Sequence, residues 1–407
     1  MHSYGHMRSS PAGETLRGKD SAQRRSGTRL RRAFYLALLA VVIGLSVSYW
    51  SWVDAQARSV VVISSVLDAP VLTPAAEAVS GEPSFEDVSV AGNPTFVARP
   101  AGEGPWPAIF LVNGTVPEGR RLPEVRNLAE GLARAGYLVV VPDLPGLTED
   151  EITPETASET VEVAREVSVR PDVEDGEVAL VGVSTGATLA LLAAERASLE
   201  GRVSVVAGVA PYSDIRTVIN VATTGHYRRS GGELVRYQAD PFLSYVIARS
   251  LVAALPPGED RRTLSGELAS IDREDPDPLD GLRSRRTDDL GPDARSVVGL
   301  LANRDPERFD ALYANLPEEV RHDLGELSPL AGTGRIRVPV VLATGPQDRY
   351  FPASESYGLK RVAPQRRVTV TGALDHAELK FSFRDAPAFA TFDAFVVRSL
   401  REASSAG

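Results

Sequence analysis

The stretch VALVGVSTGATLALL, residues 178–192, predicts a buried strand, a sharp turn and a helix in immediate succession. Its turn is Gly182-Val183-Ser184-Thr185-Gly186, which exposes a serine hydroxyl between strand and helix. A nucleophile on so strained a turn needs glycine neighbours, because the strand and the helix must pack closely around it. Ser184 is therefore the candidate nucleophile, and the alternative is an ordinary glycine-rich turn.

The bulk composition excludes several classes of site and partner. The chain has 407 residues and no cysteine, so disulfides, zinc–thiolate sites and cysteine nucleophiles are excluded. Residues 1–32 contain eight Arg or Lys and two Asp or Glu, a net charge of +6, within an overall charge of −10. The remaining chain therefore carries −16. An acidic body argues against nucleic acid or an anionic membrane surface as its partner.

Residues 33–53, AFYLALLAVVIGLSVSYWSWV, are uncharged and mostly apolar. A run of about 20 such residues crosses a bilayer, and the aromatic side chains at its far end suit the membrane interface. The basic residues 1–32 form a tail that should stay in the cytoplasm. The sequence thus predicts a single-pass membrane anchor with the remaining chain outside the cell.

Two features after this run leave alternatives open. Ala55-Gln56-Ala57 resembles a processing site, so a signal peptide cleaved after Ala57 would make the protein secreted. Residues 54–84 contain several Pro and Gly and are predicted to be a linker or stalk. Within this linker, the apolar residues 60–66 are a candidate for an extra strand.

Strand and helix patterns alternate along residues 85–210 and 336–402, the predicted catalytic core. Predicted strands cover residues 85–90, 95–99, 108–112, 138–141, 177–181, 203–209, 338–343 and 367–370. Predicted helices cover residues 122–135, 155–169, 187–196, 353–362 and 386–400. The first two strands should form a hairpin at Gly92-Asn93-Pro94. The alternation predicts an α/β fold, a mostly parallel sheet with helices on both faces and functional groups at the carboxyl ends of its strands.

Residues 211–335 interrupt this alternation and are predicted to form a helical cap over the site. Helical patterns cover residues 233–254, 293–302, 306–315 and 317–324. One alternative is a solvated, partly disordered insert, in which residues 256–290 are the segment most prone to disorder. Another is a protein-interaction module that exposes the apolar side chains of residues 233–254.

A serine nucleophile needs a general base, and only five histidines are present. His2 and His6 lie in the basic tail, and His226 and His322 lie on polar stretches of the insertion. His376 follows the strand 367–370, so it should lie at the same sheet edge as Ser184. His376 is therefore the candidate base.

The base needs a carboxylate to orient it, and Asp348 follows the strand 338–343. Its expected role is to accept the imidazole Nδ1–H without taking the proton. Asp375, next to His376, is interpreted as a loop-fixing residue, and Asp214 is a weaker alternative acid. The oxyanion requires two donors, for which the backbone N–H groups of Thr185 and Thr115 are the candidates, with Val116 close behind.

The sequence resembles the α/β-hydrolase family over about residues 85–210 and 336–402. The resemblance lies in the strand-to-helix turn at Ser184, called the nucleophile elbow, and in the chain order Ser184, Asp348, His376. The family often has His-Gly after the third strand, where this chain has Asn113-Gly114. The backbone donors survive that change. The resemblance also implies a cap at residues 211–335. Similarity to the dienelactone-hydrolase and prolyl-oligopeptidase-like branches rests on Leu327-Ser328-Pro329-Leu330, Val338-Pro339-Val340 and Gly345-Pro346-Gln347-Asp348-Arg349-Tyr350-Phe351-Pro352.

The sequence therefore predicts a membrane-anchored, extracytoplasmic serine hydrolase that cleaves carboxylic esters. We expect a small-molecule or lipid-like acyl substrate, no nucleic acid, no metal and no organic cofactor. A lipase, thioesterase, peptidase or acyltransferase would use the same three residues. A non-catalytic binding protein on the same fold is the alternative from another class.

Overall fold

In the part of the chain described by the computed structural model, residues 49–67, 81–229, 231–331, 336–359, 362–380 and 385–404, eight strands form a central sheet. Their order across the sheet is β1-β2-β4-β3-β5-β6-β9-β10. The strands of this sheet are β1 (Ser84–Val90), β2 (Asn93–Arg99), β3 (Trp106–Val112), β4 (Leu138–Pro142), β5 (Val173–Val183), β6 (Val203–Val209), β9 (Val340–Thr344) and β10 (Arg366–Val370).

The predicted α/β architecture is confirmed. Strands β4, β3, β5, β6, β9 and β10 run parallel, whereas β1 and β2 form the expected antiparallel hairpin with Val90 opposite Asn93. Every residue of β4 and of β9 is buried, as a parallel sheet covered on both faces requires. Four short strands form two separate hairpins: β7 (His226–Arg228) with β8 (Leu234–Arg236), and β11 (Leu374–Asp375) with β12 (Glu378–Leu379).

Helices cover both faces of the sheet. On one face α1 (49–66), α2 (Pro123–Arg134) and α14 (Ala386–Ala403) pack against side chains such as Ile109 and Val341. On the other face lie α4 (Pro154–Ser168) and α5 (Thr185–Ala194). The short helices α3 (Pro145–Thr148) and α13 (Ser354–Gly358) lie in connections, as do the 3₁₀ turns Gly119–Arg121 and Ala197–Leu199.

The segment before the sheet differs from its prediction. Residues 60–66 belong to helix α1 and not to an extra strand. Ser59 Oγ and Gln56 Nε2 donate to the carboxylate of Asp393 on α14, over 2.7 and 2.8 Å. Of the predicted anchor 33–53, only residues 49–53 lie within the described part of the chain. In that part, no helix combines the length and the apolar character needed to cross a membrane.

Residues 211–331 form an additional layer that consists mainly of helices. These are α6 (Ile215–Thr224), α7 (Pro241–Ala253), α8 (Glu259–Ala269), α9 (Asp280–Ser284), α10 (Pro292–Leu301), α11 (Phe309–Ala314) and α12 (Glu318–Glu326), with the β7–β8 hairpin after α6. They have a hydrophobic cluster of their own. The two ends of this layer meet, because the Ile215 N–H donates to Ser328 Oγ over 2.9 Å and the Leu330 N–H to the Ser213 carbonyl over 3.1 Å.

One expectation and one alternative for this layer were wrong. The predicted helix 233–254 starts only at Pro241, because residues 234–236 pair as β8 with β7. The segment 256–290 is not disordered. Its helix α8 buries Leu264 and Leu268 completely in the apolar cluster of the layer, which compensates for its many charged neighbours.

Candidate active site

Ser184 occupies the turn that the sequence predicts, between the last residue of β5 and the first of α5. Its backbone has φ 56° and ψ −128°, a region that residues with side chains rarely adopt. The Ser184 N–H donates to the Val209 carbonyl on β6 over 2.8 Å, which fixes the strained residue to the sheet. Strain held by surrounding structure is a common property of functional residues.

The glycines around Ser184 are sterically required. A Cβ atom on Gly186 would lie 2.2 Å from the Asn113 carbonyl oxygen, and one on Gly182 would lie 2.5 Å from the Ala187 backbone. Both distances are far below van der Waals contact with rigid backbone. The close packing that the pentapeptide predicted is therefore present on both sides of the serine.

Asp348 and His376 form a buried pair beyond the ends of neighbouring strands β9 and β10. His376 Nδ1 lies 2.9 and 3.0 Å from the two carboxylate oxygens of Asp348. Asp348 Oδ1 also accepts the backbone N–H groups of Tyr350 and Phe351, over 2.8 and 3.0 Å. With a carboxylate as its acceptor, Nδ1 donates its proton, and Nε2 of the neutral ring is left as a proton acceptor.

Two aromatic rings hold the imidazole in place. The ring centroids of Tyr350 and Phe351 lie 4.5 and 5.7 Å from that of His376, both in edge-to-face geometry. Phe351 packs in the same manner against Tyr212, at 5.4 Å. His376 itself has φ 56°, so the loop that presents it is also strained. Apolar packing and the carboxylate together leave the imidazole one orientation.

The parallel strands bring Ser184 to the same edge of the sheet as this pair. Strand β6 lies between β5 and β9, and Val209 of β6 is in register with Val183 before the serine and with Ala343 of β9. Within the described residues, Ser184 Oγ makes no hydrogen bond, to His376 or to any other group. Contacts between a nucleophile and its base are often long before substrate binds.

The two candidate oxyanion donors lie side by side. Thr115 Oγ1 donates to Thr185 Oγ1 over 3.3 Å. Thr185 is the first residue of α5, where an N–H has no partner inside the helix. In the described part of the chain, neither the Thr185 N–H nor the Thr115 N–H has a backbone acceptor outside regular elements, whereas the Gly114 N–H is bound by Asn113 Oδ1. The candidate donors are therefore not occupied by another group in that part of the chain.

Residues set aside on sequence grounds have other partners. Asp375 binds Arg349 over 3.0 Å and also Lys380, and these two cations lower its pKa to about 2. Asp214 Oδ1 accepts the Arg216 N–H over 2.9 Å and so caps helix α6. His226 Nδ1 contacts the Thr224 carbonyl over 2.8 Å, and His322 is exposed.

A buried carboxylate that the sequence did not reveal lies next to this site. Glu355 Oε2 accepts three hydrogen bonds of 2.9 Å, from the N–H and Oγ of Ser213 and from the Asp214 N–H. Burial raises the pKa of Glu355 to about 7. The Glu355 side chain thus ties the connection after β9, which carries Asp348, to the start of the helical layer. A glutamate on a short helix normally predicts a solvated side chain, so the pattern gave no signal for it.

A second unexpected contact joins the helical layer to the acid. Tyr237, which follows β8, donates its hydroxyl to the backbone carbonyl of Asp348. Burial and the nearby Asp348 charge raise the pKa of Tyr237 well above its usual range, so it remains a donor.

A small apolar cavity lies between the helical layer and the elbow. Its volume is about 30 Å³. Thr185, Tyr212 and Phe351 contribute to its walls from the side of the sheet, and Ile219, Leu243 and Val246 from the helical layer. Among the described residues, no cluster of His, Cys, Asp or Glu has a geometry that would hold a metal ion. The arrangement thus places a strained serine and a carboxylate-bound imidazole at one edge of the sheet, with an apolar pocket beside Thr185.

The sequence of this chain is similar to those of known proteins. A sequence profile of the α/β-hydrolase family matches residues 109–392. The esterase EstD of Thermotoga maritima is 31% identical over 150 residues, which are 32% of this chain and 35% of that protein. The chain therefore spans about a third of the length of this curated relative.

Solved structures show a weaker likeness. The cell-wall-degrading esterase LipA of Xanthomonas oryzae is 17% identical with a TM-score of 0.47, over 81% of this chain and 93% of that one. EstE5 is 13% identical with a TM-score of 0.41, over 82% of this chain and 92% of that one.

Proposed function

Because this chain belongs to the α/β-hydrolase family, we propose that it is a serine hydrolase that cleaves carboxylic esters through an acyl-enzyme on Ser184. The observation that carries the proposal is the buried His376–Asp348 pair at the sheet edge of the strained serine. The esterase name of its curated relative agrees with this chemistry.

In the proposed reaction, Ser184 Oγ attacks the acyl carbonyl carbon while His376 Nε2 accepts the hydroxyl proton. Asp348 remains a carboxylate and stabilises the imidazolium through the Nδ1–H bond. The developing oxyanion accepts the N–H groups of Thr185 and Thr115. The C–O bond to the alcohol then breaks, and His376 returns the proton to the leaving oxygen. Water, deprotonated by the same imidazole, hydrolyses the acyl-enzyme and regenerates Ser184.

The size of the apolar cavity between the helical layer and Thr185 favours a substrate with a short acyl group. Its volume of about 30 Å³ is little more than one water molecule occupies. Its walls offer aliphatic and aromatic side chains near Thr185, where the acyl carbonyl would lie. We therefore propose an acyl group of about two carbons, an acetyl group, for this pocket, since each buried methylene needs comparable space.

A fluorophosphonate probe tests the nucleophile directly. The full-length wild type, Ser184→Ala and Ser158→Ala are compared, because Ser158 is an exposed serine on helix α4 and serves as the matched control. We expect labelling and turnover of p-nitrophenyl acetate to be lost only in Ser184→Ala. A folded wild type that is neither labelled nor active would overturn the proposal, as would labelling that persists in Ser184→Ala.

Parallel assays with thioester, amide and long-chain ester substrates decide among the related activities. Turnover of an amide or a thioester above that of the ester would assign a peptidase or a thioesterase. Transfer of the acyl group to an added alcohol in preference to water would assign an acyltransferase.

We further propose that residues 33–53 anchor the enzyme in the cell membrane with the catalytic core outside. The support is the apolar run itself and the net charge of +6 on residues 1–32 before it. Protease added to intact cells should digest the core, and complete protection would overturn this orientation. The mass of the mature protein distinguishes a retained anchor from cleavage after Ala57.

A further inference from the structure

A second, larger cavity lies on the face of the sheet that α1, α2 and α14 cover. Its volume is about 150 Å³, and it shares no lining residue with the cavity above Thr185. Three groups of elements enclose it: residues 62–66 of helix α1, helices α2 and α14, and the strands of the sheet. The roles proposed for Ser184, Asp348 and His376 do not use this space.

Helix α1 contacts its neighbouring helices on both sides of the cavity. At one end, Ser59 and Gln56 donate to the Asp393 carboxylate. At the other, a Cβ on Gly131 would lie only 2.8 Å from Ser65 Cβ, so α1 and α2 are in close contact there. Protein interiors are close-packed, and voids larger than a water molecule are few. A cavity of this size between two tight contacts is therefore a feature of the fold and not of a loosely docked helix.

Its chemistry selects an apolar ligand. The walls consist mainly of aliphatic and phenyl side chains, such as Val62, Leu132, Val181 and Phe395. Ser399 also lines the cavity, but its hydroxyl already donates to the Phe395 carbonyl over 2.9 Å. A polar or charged ligand would lose its hydration here without new hydrogen bonds. Apolar cavities of such volume stay dry and bind hydrocarbons of about six carbons.

We propose that this cavity binds the aliphatic chain of a single-chain membrane amphiphile. Helix α1, described from residue 49 onward, forms one wall of the cavity with residues 62–66, about ten residues in sequence after the apolar run 33–53 for which a membrane anchor is proposed. Val60 and Val66 leave an apolar surface exposed on this helix, at 46% and 36% of their full accessibility. This choice of occupant rests on the membrane anchor proposed above.

The site also lies behind the catalytic loops. Leu374 and Ala377, which line it, are close neighbours of His376 in sequence, and Val183 directly precedes Ser184. Binding itself requires none of the chemistry of Ser184, so the proposal stands or fails independently of ester hydrolysis.

Photolabelling of the full-length protein in lipid nanodiscs, without detergent, tests the site. The probe is octanol that carries a diazirine on its chain, and excess octanol is the competitor. We expect adducts within residues 374–379 and 392–403 that octanol suppresses, in the wild type and equally in Ser184→Ala. The double variant Ala207→Leu, Ala403→Leu fills the cavity and should lower the yield at least about tenfold. Ala394→Leu, on an exposed face of the same helix, should leave it unchanged.

Adducts that are equally abundant in the double variant, or that octanol does not suppress, would overturn the proposal. An enlarging substitution keeps the test decisive if the double variant does not fold. Phe392→Ala removes a phenyl ring from the wall, so labelling by a longer, decanol-based probe should increase. An unchanged yield with that probe would also overturn the proposal.

Discussion

The Asp348 carboxylate faces His376 Nδ1 with both oxygens, while one of those oxygens also accepts two backbone N–H groups of its own loop. All of these partners are donors. An amide in place of the carboxylate would turn an NH₂ group toward at least one of them. The geometry therefore specifies a carboxylate at this position and not merely a polar side chain.

Asp348→Asn should lower kcat by about 10⁴-fold with little change in KM, because the imidazole loses its orientation and the stabilisation of its charged form. Steady-state kinetics with p-nitrophenyl acetate measure this. Asp375→Asn, at the neighbouring carboxylate that binds Arg349 and Lys380, is the control and should cost less than about tenfold. Equal losses in the two variants would contradict the assignment of Asp348.

Gly186→Ala should destabilise the protein by more than about 3 kcal/mol, because its Cβ has no space against the Asn113 carbonyl. Gly299→Ala is the matched control. Gly299 lies inside helix α10 with open space around it, so alanine should stabilise by about 0.5–1 kcal/mol. Urea unfolding measures both changes. Destabilisation by Gly299→Ala, or tolerance of alanine at position 186, would contradict the packing described around Ser184.

Glu355 predicts a specific dependence of stability on pH. Its folded pKa is about 7, above the ordinary value of 4.5, so the folded state binds more protons than the unfolded state between these values. The free energy of unfolding contributed by Glu355 therefore decreases as pH rises from 4.5 to 7 and is constant above that. Glu355→Gln, which keeps an acceptor for Ser213, should remove this decrease. Identical pH profiles for wild type and variant, measured by urea unfolding, would refute it.

Ile219→Ala should widen the cavity above Thr185 and shift the substrate preference toward longer acyl chains. The ratio of kcat/KM for p-nitrophenyl hexanoate to acetate is expected to rise about tenfold, a gain typical of one or two accommodated methylenes. Both Ile219→Ala and the control Leu264→Ala should lower the free energy of unfolding by ~2–5 kcal/mol. Leu264 is buried in the same helical layer but does not line the cavity, so its variant should not shift the substrate preference. A similar shift in both variants would contradict the assignment of the pocket.

The sequence predicted the sheet well because its signals are local. Val178 to Val181 and the glycines at 182 and 186 specify a strand and an elbow within a few residues. Asp348 and His376 were found because each follows a strand, and parallel strands end at one edge. In the structure the two side chains are in contact, with His376 Nδ1 2.9 Å from Asp348 Oδ1. The catalytic roles of Ser184, Asp348, His376 and the oxyanion donors stay predictions.

Other features depended on tertiary contacts that a single sequence does not show. Residues 60–66 are mostly apolar, and so short a run has no period that distinguishes strand from helix. The packing of α1 on α2 and α14 decides for the helix. The charged segment 256–290 has only scattered leucines, yet all of them are buried in the apolar cluster of the helical layer: Leu264, Leu268, Leu279, Leu282 and Leu290. Glu355 was missed since its donors lie about 140 residues away in sequence.

The helical layer leaves and re-enters the body at one point, where Ile215 binds Ser328 and Leu330 binds Ser213. A segment with so narrow a stem is separable in evolution, because recombination between genes at this stem exchanges the whole layer without moving the sheet. Under the proposed function, the residues of the reaction and most of those that select the substrate would then be inherited separately. New preferences would arise by replacing one contiguous stretch of the gene, provided that the replacement again supplies a donor to the Asp348 carbonyl, as Tyr237 does here.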